Sequence, residues 1–219
     1  MTLFRLDASI RAEGSVSRAV ADTVQSAWRA EHPDARVIHR DLGLDPLPST
    51  TWATALGAGM TPAENRTAGQ NEALATAATL ADELVAADAF LLAIPLYNYA
   101  IPHHVKLWID TLITTPAFAP GGPSAIAGRP AVLVTVRGGG YGPGTPREGW
   151  DHNTPYLRRV FADMWGLDLS IVETELTLAE ANPAMAELRP LAAQLLQAAH
   201  TTAEEQGQNL AKRVLSAAR

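Results

Sequence analysis

Phe90-Leu91-Leu92-Ala93-Ile94-Pro95-Leu96-Tyr97-Asn98-Tyr99 is the stretch that decides the architecture. Its first five residues are an unbroken apolar run, the pattern of a strand covered on both faces. Leu96-Tyr97-Asn98-Tyr99 follows directly, and beyond it Ile101, Val105, Trp108, Ile109 and Leu112 fall on one side of a helix. Pro102 suits the first turn of that helix. A buried strand, a loop rich in hydrogen-bonding and aromatic groups, and an amphipathic helix make one unit of a parallel sheet.

The same alternation extends in both directions. Upstream, Leu3 to Asp7 reads as a strand, and Val16, Val20, Val24, Ala27 and Trp28 share a face of a helix begun by Ser15 or Ser17. Arg36 to Asp41 is a second strand, followed by a connection through Pro46 and Pro48 and an alanine-rich helix from about Pro62 to Ala87. Downstream, Ala131 to Val136 is a fourth strand, Tyr156 to Trp165 a helix, and Leu167 to Leu176 contains a fifth strand before a last helix from about Pro183. The tail from His200 to Arg219 reads either as an extension of that helix or as a frayed end. Strands alternating with helices predict an α/β, doubly wound parallel sheet. A chain of 219 residues, 47% of them hydrophobic, can bury a full core within one domain spanning 1–219.

Composition removes several function classes. With no cysteine, the chain has no disulfide scaffold, thiol nucleophile or cysteine-ligated cluster, so redox work requires a bound cofactor. A formal charge of −6 disfavours non-specific nucleic-acid binding. The N-terminus has no basic-then-apolar pattern and no apolar run reaches spanning length, which predicts a cytoplasmic protein without a membrane partner.

In such a sheet, ligands bind beyond the carboxyl ends of the strands, and three of those ends carry chemistry. After strand one come Ser9, Ser15 and Ser17, hydroxyls beside the free N–H groups of a helix start, which suit a phosphate. Ser15 or Ser17 alone reads equally well as a simple N-cap. The segment lacks both the G-x-G-x-x-G spacing and a P-loop lysine, which favours a mononucleotide. After strand three, Tyr97 and Tyr99 flank Asn98, giving aromatic cover and an amide together, as a flavin ring requires; alone, the segment also reads as an ordinary turn with two half-buried tyrosines. After strand four, Gly138, Gly139 and Gly140 allow close backbone approach to a planar ring. Tyr141 and His152 are candidates to orient or protonate a substrate, and read equally as a surface tyrosine and a capping histidine. His103 and His104 are adjacent, so on a helix they point about 100° apart and make no metal pair; no metal is expected.

On these residues the chain resembles the FMN-dependent NADH-azoreductases and NAD(P)H:quinone oxidoreductases of flavodoxin-like fold, over most of its length. The carrying segments are Ser9-Ile10 through Gly14-Ser15-Val16-Ser17, Arg40-Asp41-Leu42 before Pro46-Leu47-Pro48, Pro95 through Tyr99 to Lys106-Leu107-Trp108-Ile109-Asp110, Arg137-Gly138-Gly139, and Asp151-His152. The resemblance implies a five-stranded sheet of order 2-1-3-4-5 with helices on both faces. It implies FMN, its phosphate held by Ser9, Ser15, Val16 and Ser17, its ring by Leu96, Tyr97, Asn98 and Tyr99, and its far edge by Val136, Arg137, Gly138 and Gly139. It also implies NADH or NADPH as a transient donor, a quinone or azo acceptor reduced by ping-pong chemistry, and a homodimer with sites at the interface. Val136 stands where the family often has serine, and His103-His104 replaces smaller or amide residues, two departures that bear on the substrate pocket. A biosynthetic tailoring reductase acting on an aromatic metabolite and a flavodoxin-like electron carrier are the alternative readings.

Overall fold

The structure is a computed structural model that describes residues 1–122 and 124–217. Five strands form one parallel sheet: β1 (Thr2–Asp7), β2 (Arg36–Asp41), β3 (Ala89–Ala93), β4 (Pro130–Val136) and β5 (Asp168–Thr174), in the order β2-β1-β3-β4-β5. This is the order expected for a flavodoxin-like sheet. The helices are α1 (Val16–Glu31), α2 (Thr51–Gly59), α3 (Ala68–Val85), α4 (His103–Ile113), α5 (Thr154–Arg158), which runs on as a π-helical turn over Arg159–Met164, and α6 (Arg189–Ala217).

The two-residue period of the strands divides their side chains between two cores. Phe4 and Leu6 of β1, Phe90 and Leu92 of β3, and Ala131 and Leu133 of β4 face α3, α4 and α5, meeting Leu80, Leu84, Trp108 and Phe161. Leu3, Leu91, Val132 and Val134 face the other way, onto Val20, Val24 and Trp28 of α1 and Ala203 and Leu210 of α6. Every residue of β3 and β4 is buried, as the unbroken apolar runs predict. Backbone contact draws α6 tight against α1: a Cβ added to Gly207 would lie 2.4 Å from Val24 O.

The structure departs from the sequence reading in the helices. The alanine-rich helix is interrupted, with a short 3-10 turn over Ala63–Asn65 and a fresh start at Ala68. Thr67 and Gln70 form a capping box there, a signal legible in the Thr-x-x-Gln spacing. The Pro-rich connection leads into α2, which the sequence reading missed because its nine residues, seven of them alanine, glycine or threonine beside Trp52 and Leu56, carry little amphipathic pattern. The last helix begins at Arg189, after a 3-10 turn over Pro183–Leu188. The tail continues that helix to Ala217, and its final two residues lie outside the described residues.

Candidate active site

The loops leaving β1, β3 and β4 lie side by side at one edge of the sheet. The Ala8 N–H donates to Ala93 O (3.0 Å), and the Leu96 N–H donates to Val136 O (2.9 Å), so each loop starts in register with its neighbour. Between them runs a cleft of about 480 Å³ whose walls include Ser9, Ser15, Val16, Ser17, Leu96, Tyr97, Val136 and Gly138. It is continuous with a second cleft of about 350 Å³ lined by Asn98, Tyr99, Gly139, Tyr141 and Arg147, because the two share Leu96, Tyr97, Gly138 and Leu178. The result is a single groove, polar at the α1 end and aromatic at the other.

At the α1 end, Ser15 is the N-cap: its backbone is extended and its Oγ accepts from the Arg18 N–H (3.4 Å). Its Oγ also lies 3.3 Å from Ser17 Oγ. The first main-chain bond of the helix runs from the Ala19 N–H to Ser15 O (3.0 Å), so the Val16 and Ser17 amides have no partner within the helix. Two amides and two hydroxyls at a helix start are the donor set that an anion takes, and the helix dipole favours it. The cap reading and the anion-site reading therefore hold at the same serine.

Arg18 fixes this end. It donates to both carboxylate oxygens of Asp41 (2.6 and 2.8 Å), to Ser9 O (2.7 Å) and to Arg11 O (3.1 Å). The hydrogen bond to Asp41 leads in raising the Arg18 guanidinium above its ordinary value. Burial alone would raise the Asp41 carboxyl, but the bond from Arg18 and the Leu44 N–H hold it below the usual carboxylate range. Gly43 passes so close that a Cβ would lie 2.0 Å from Ser9 O, which reserves that position for glycine.

At the other end, Tyr97 and Ala100 exchange hydrogen bonds of 3.0 Å around Asn98 (φ 48°) and Tyr99 (φ 70°). Two consecutive left-handed residues other than glycine mark a type I′ turn, and such strain concentrates at functional sites. Tyr97 Oη reaches across to the β1 loop, accepting from the Ile10 N–H (3.2 Å) and lying 3.4 Å from Ser9 Oγ. A Cβ on Gly138 would meet Leu178 Cδ1 at 2.6 Å, so glycine lets the β4 loop lie flat against the wall.

A sequence model of the flavodoxin-like fold matches residues 1–199. The chain belongs to that family. The chain is similar to the FMN-dependent NADH:quinone oxidoreductase of Streptomyces avermitilis, with 43% identity over 213 residues covering 97% of this chain and 98% of the relative. The protein of the same name from Parafrankia sp. is 39% identical over 207 residues, 93% of this chain and 95% of its own. Among solved structures, an azoreductase from Bacillus anthracis superposes with a TM-score of 0.79 at 20% identity, covering 95% of this chain and 99% of its own. An FMN-dependent NADH-azoreductase of that species in complex with FMN gives 0.78 at 19% identity, covering 96% and 99%. These two share the fold.

Two expected site residues turn away from the groove of this flavodoxin-like chain. The Arg137 side chain is buried among Asp151 (2.8 Å), Glu173 (2.5 Å) and Glu175 (2.8 Å), beside a separate cleft of about 800 Å³ that shares only Tyr141 with the groove. Burial opposes its charge, and the carboxylates of Glu173 and Asp151 more than restore it, so it acts as a structural cation. Strand alternation explains the outcome: Val136 lines the groove, so the next side chain leaves on the opposite face. His152 is exposed and joins through its main chain, its N–H donating to Tyr99 O (2.9 Å). Its ring does not line the groove. Nor do the rings of His103 and His104; His104 is buried and donates from Nε2 to Ala8 O (2.9 Å), pinning α4 beneath the β1 loop. Sequence reasoning missed Thr177 and Leu178, supplied by the segment after β5. Extending the strand-end rule to the fifth strand would have found them. Among the described residues no group of three or more His, Cys, Asp or Glu could hold a metal ion, and no helix is long and apolar enough to cross a membrane.

Proposed function

We propose that the chain is an FMN-dependent NAD(P)H oxidoreductase that reduces quinones and azo compounds by a two-electron, ping-pong route. The observation that carries this is the groove itself, with amides lacking helix partners beside paired hydroxyls at one end and a strained Tyr97–Ala100 turn facing Gly138 at the other. Its size falls within the range of cofactor pockets. FMN, when bound, supplies the electron chemistry between the nicotinamide donor and the acceptor.

The remaining work belongs to the chain. Ser9, Ser15, Ser17 and the Val16 and Ser17 amides hold the phosphate; Leu96 to Tyr99 and Val136 to Gly139 flank the ring, Arg137 serving through its backbone and through the ion pairs that brace the loop. Tyr141 is the side chain placed to orient an acceptor. Burial raises its hydroxyl above the ordinary value, so at neutral pH it keeps its proton and donates a hydrogen bond. His152 holds the Tyr99 turn in place. The protein acts as a single cytoplasmic domain and pairs as a homodimer with the groove at the interface.

Purified protein should be yellow, or take up added FMN, and should release FMN instead of FAD on denaturation. NADH or NADPH should reduce the bound flavin on its own, and oxidation of the donor beyond one equivalent per flavin should require a quinone or azo dye. A colourless preparation that fails to bind FMN overturns the reading, and flavin that is reduced by no nicotinamide donor points to an electron carrier. Light scattering in solution tests the dimer.

A further inference from the structure

Arg147 lies in the loop between β4 and α5, at the aromatic end of the groove. A Cβ built on Gly139 would meet its Nη1 at 2.9 Å, so the guanidinium sits against the strand-four loop. Arg5, Arg18 and Arg137 are each paired with a carboxylate, whereas among the described residues Arg147 has no ion pair or side-chain hydrogen bond. The acidic residues of the same region are already engaged. Glu148 accepts from the Gly144 N–H (2.8 Å), Glu175 from the Tyr141 N–H (3.0 Å), and Asp151 pairs with Arg137 (2.8 Å).

The loop that carries this cation is anchored over the mouth of the groove. The Trp150 N–H donates to Arg147 O (3.0 Å) and the His152 N–H to Tyr99 O (2.9 Å). The Trp150 ring stands edge-on to Tyr99 at 5.6 Å, and Tyr99 lies 6.4 Å from Tyr141. A guanidinium presents its donors in a planar fork that matches a carboxylate or sulfonate. Among the described residues, that fork has no protein acceptor, and it is bordered by aromatic faces, in a chain whose net charge is −6.

We propose that Arg147 is an anion anchor that makes the enzyme prefer acceptors bearing a carboxylate or sulfonate on their aromatic ring. The anion seats on the guanidinium and the ring lies among Tyr99, Tyr141 and Trp150. This deepens the reading of the groove as a quinone- and azo-reducing site and rests on it. A nicotinamide donor also carries anionic phosphates, so the test separates the two sources.

The experiment uses the FMN-loaded protein with NADH and a matched pair of acceptors, 1,4-naphthoquinone and its 2-sulfonate. In R147Q the ratio of kcat/KM for the sulfonate over the neutral quinone should fall about tenfold, and R147K should recover part of it. Naphthalene-2-sulfonate, which accepts no electrons here, should bind about tenfold more weakly to R147Q by titration calorimetry. An unchanged ratio with unchanged naphthalene-sulfonate affinity overturns the proposal. So does a change confined to KM for NADH or NADPH, which would assign Arg147 to the dinucleotide, and so does an equal fall for both quinones accompanied by weaker FMN binding. If wild-type protein reduces neither quinone, the reading of the site fails instead, and the calorimetry alone decides whether Arg147 anchors the anion.

Discussion

Ser17 is almost wholly buried, 1% exposed, at the mouth of a helix whose first amides are free of intrahelical bonds. In Ser17→Ala the phosphate loses one donor, and a hydrogen bond to a charged group is worth about 1.5–3 kcal/mol. FMN affinity should fall roughly ten- to a hundredfold. Ser17→Asp loses the same donor and adds a carboxylate against the phosphate, so its loss should be larger still. Fluorescence titration of FMN against both variants checks the order; equal affinities would place Ser17 outside the phosphate site. The serines and Leu96 to Tyr99 were legible because local patterns carry them, a helix start in one case and a strand end in the other. Gly43 was not, because its value lies in the approach to Ser9 O, a contact between segments 34 residues apart that no local spacing announces. The direction of the Arg137 side chain was not legible for a related reason. Its sequence neighbours are glycines of the groove, while its partners Glu173 and Glu175 come from β5 and the residue beyond it.

Element boundaries follow from caps and periodicity, whereas helix packing depends on what meets across the interface. The central strands β3 and β4 were legible from their apolar runs, and α1 from its single apolar face. The contact of α6 with α1 was not, since α6 is twenty-nine residues of weak amphipathic pattern. Gly207 tests that contact in a way that sets two effects against each other. Helix propensity alone would make Gly207→Ala stabilising by about 1 kcal/mol. A Cβ there would stand 2.4 Å from Val24 O and 2.7 Å from Ala27 Cβ, and backbone cannot swing aside as a side-chain tip can. Overpacking of this kind costs about 1–3 kcal/mol, so sterics win. Thermal melting by circular dichroism should show Gly207→Ala less stable by a few degrees, about 2–4 °C per kcal/mol at this size. A higher melting temperature would mean that α6 can lift away from α1 without loss.

At the scale of the molecule, the groove edge joins β1, β2 and α4 through buried titratable groups, and their linkage sets how the fold responds to acid. Burial lowers the His104 pKa, and the ring donates to Ala8 O in its neutral form. The unfolded chain therefore takes up that proton first, near pH 6.5, and the stability present above this value is lost as pH falls through the lower folded pKa. For Asp7, burial alone would raise the carboxyl, but hydrogen bonds from His39 and Arg5 hold it below the ordinary range; Asp41 and Asp151 are likewise lowered. Their stabilisation is present above about pH 3.9 and is lost as pH falls through their still lower folded values. Two separate limbs follow, one beginning near pH 6.5 and a second below about pH 4. Melting temperature measured from pH 8 to pH 3 should show both in the wild type. His104→Gln keeps an amide donor for Ala8 O but removes the titration, so the difference between the two proteins should shrink as pH drops through the first limb and then stay constant through the second. A difference that is flat from pH 8 to pH 5 would mean that His104 titrates alike in the folded and unfolded chains, and that α4 is held to the β1 loop without help from a neutral imidazole.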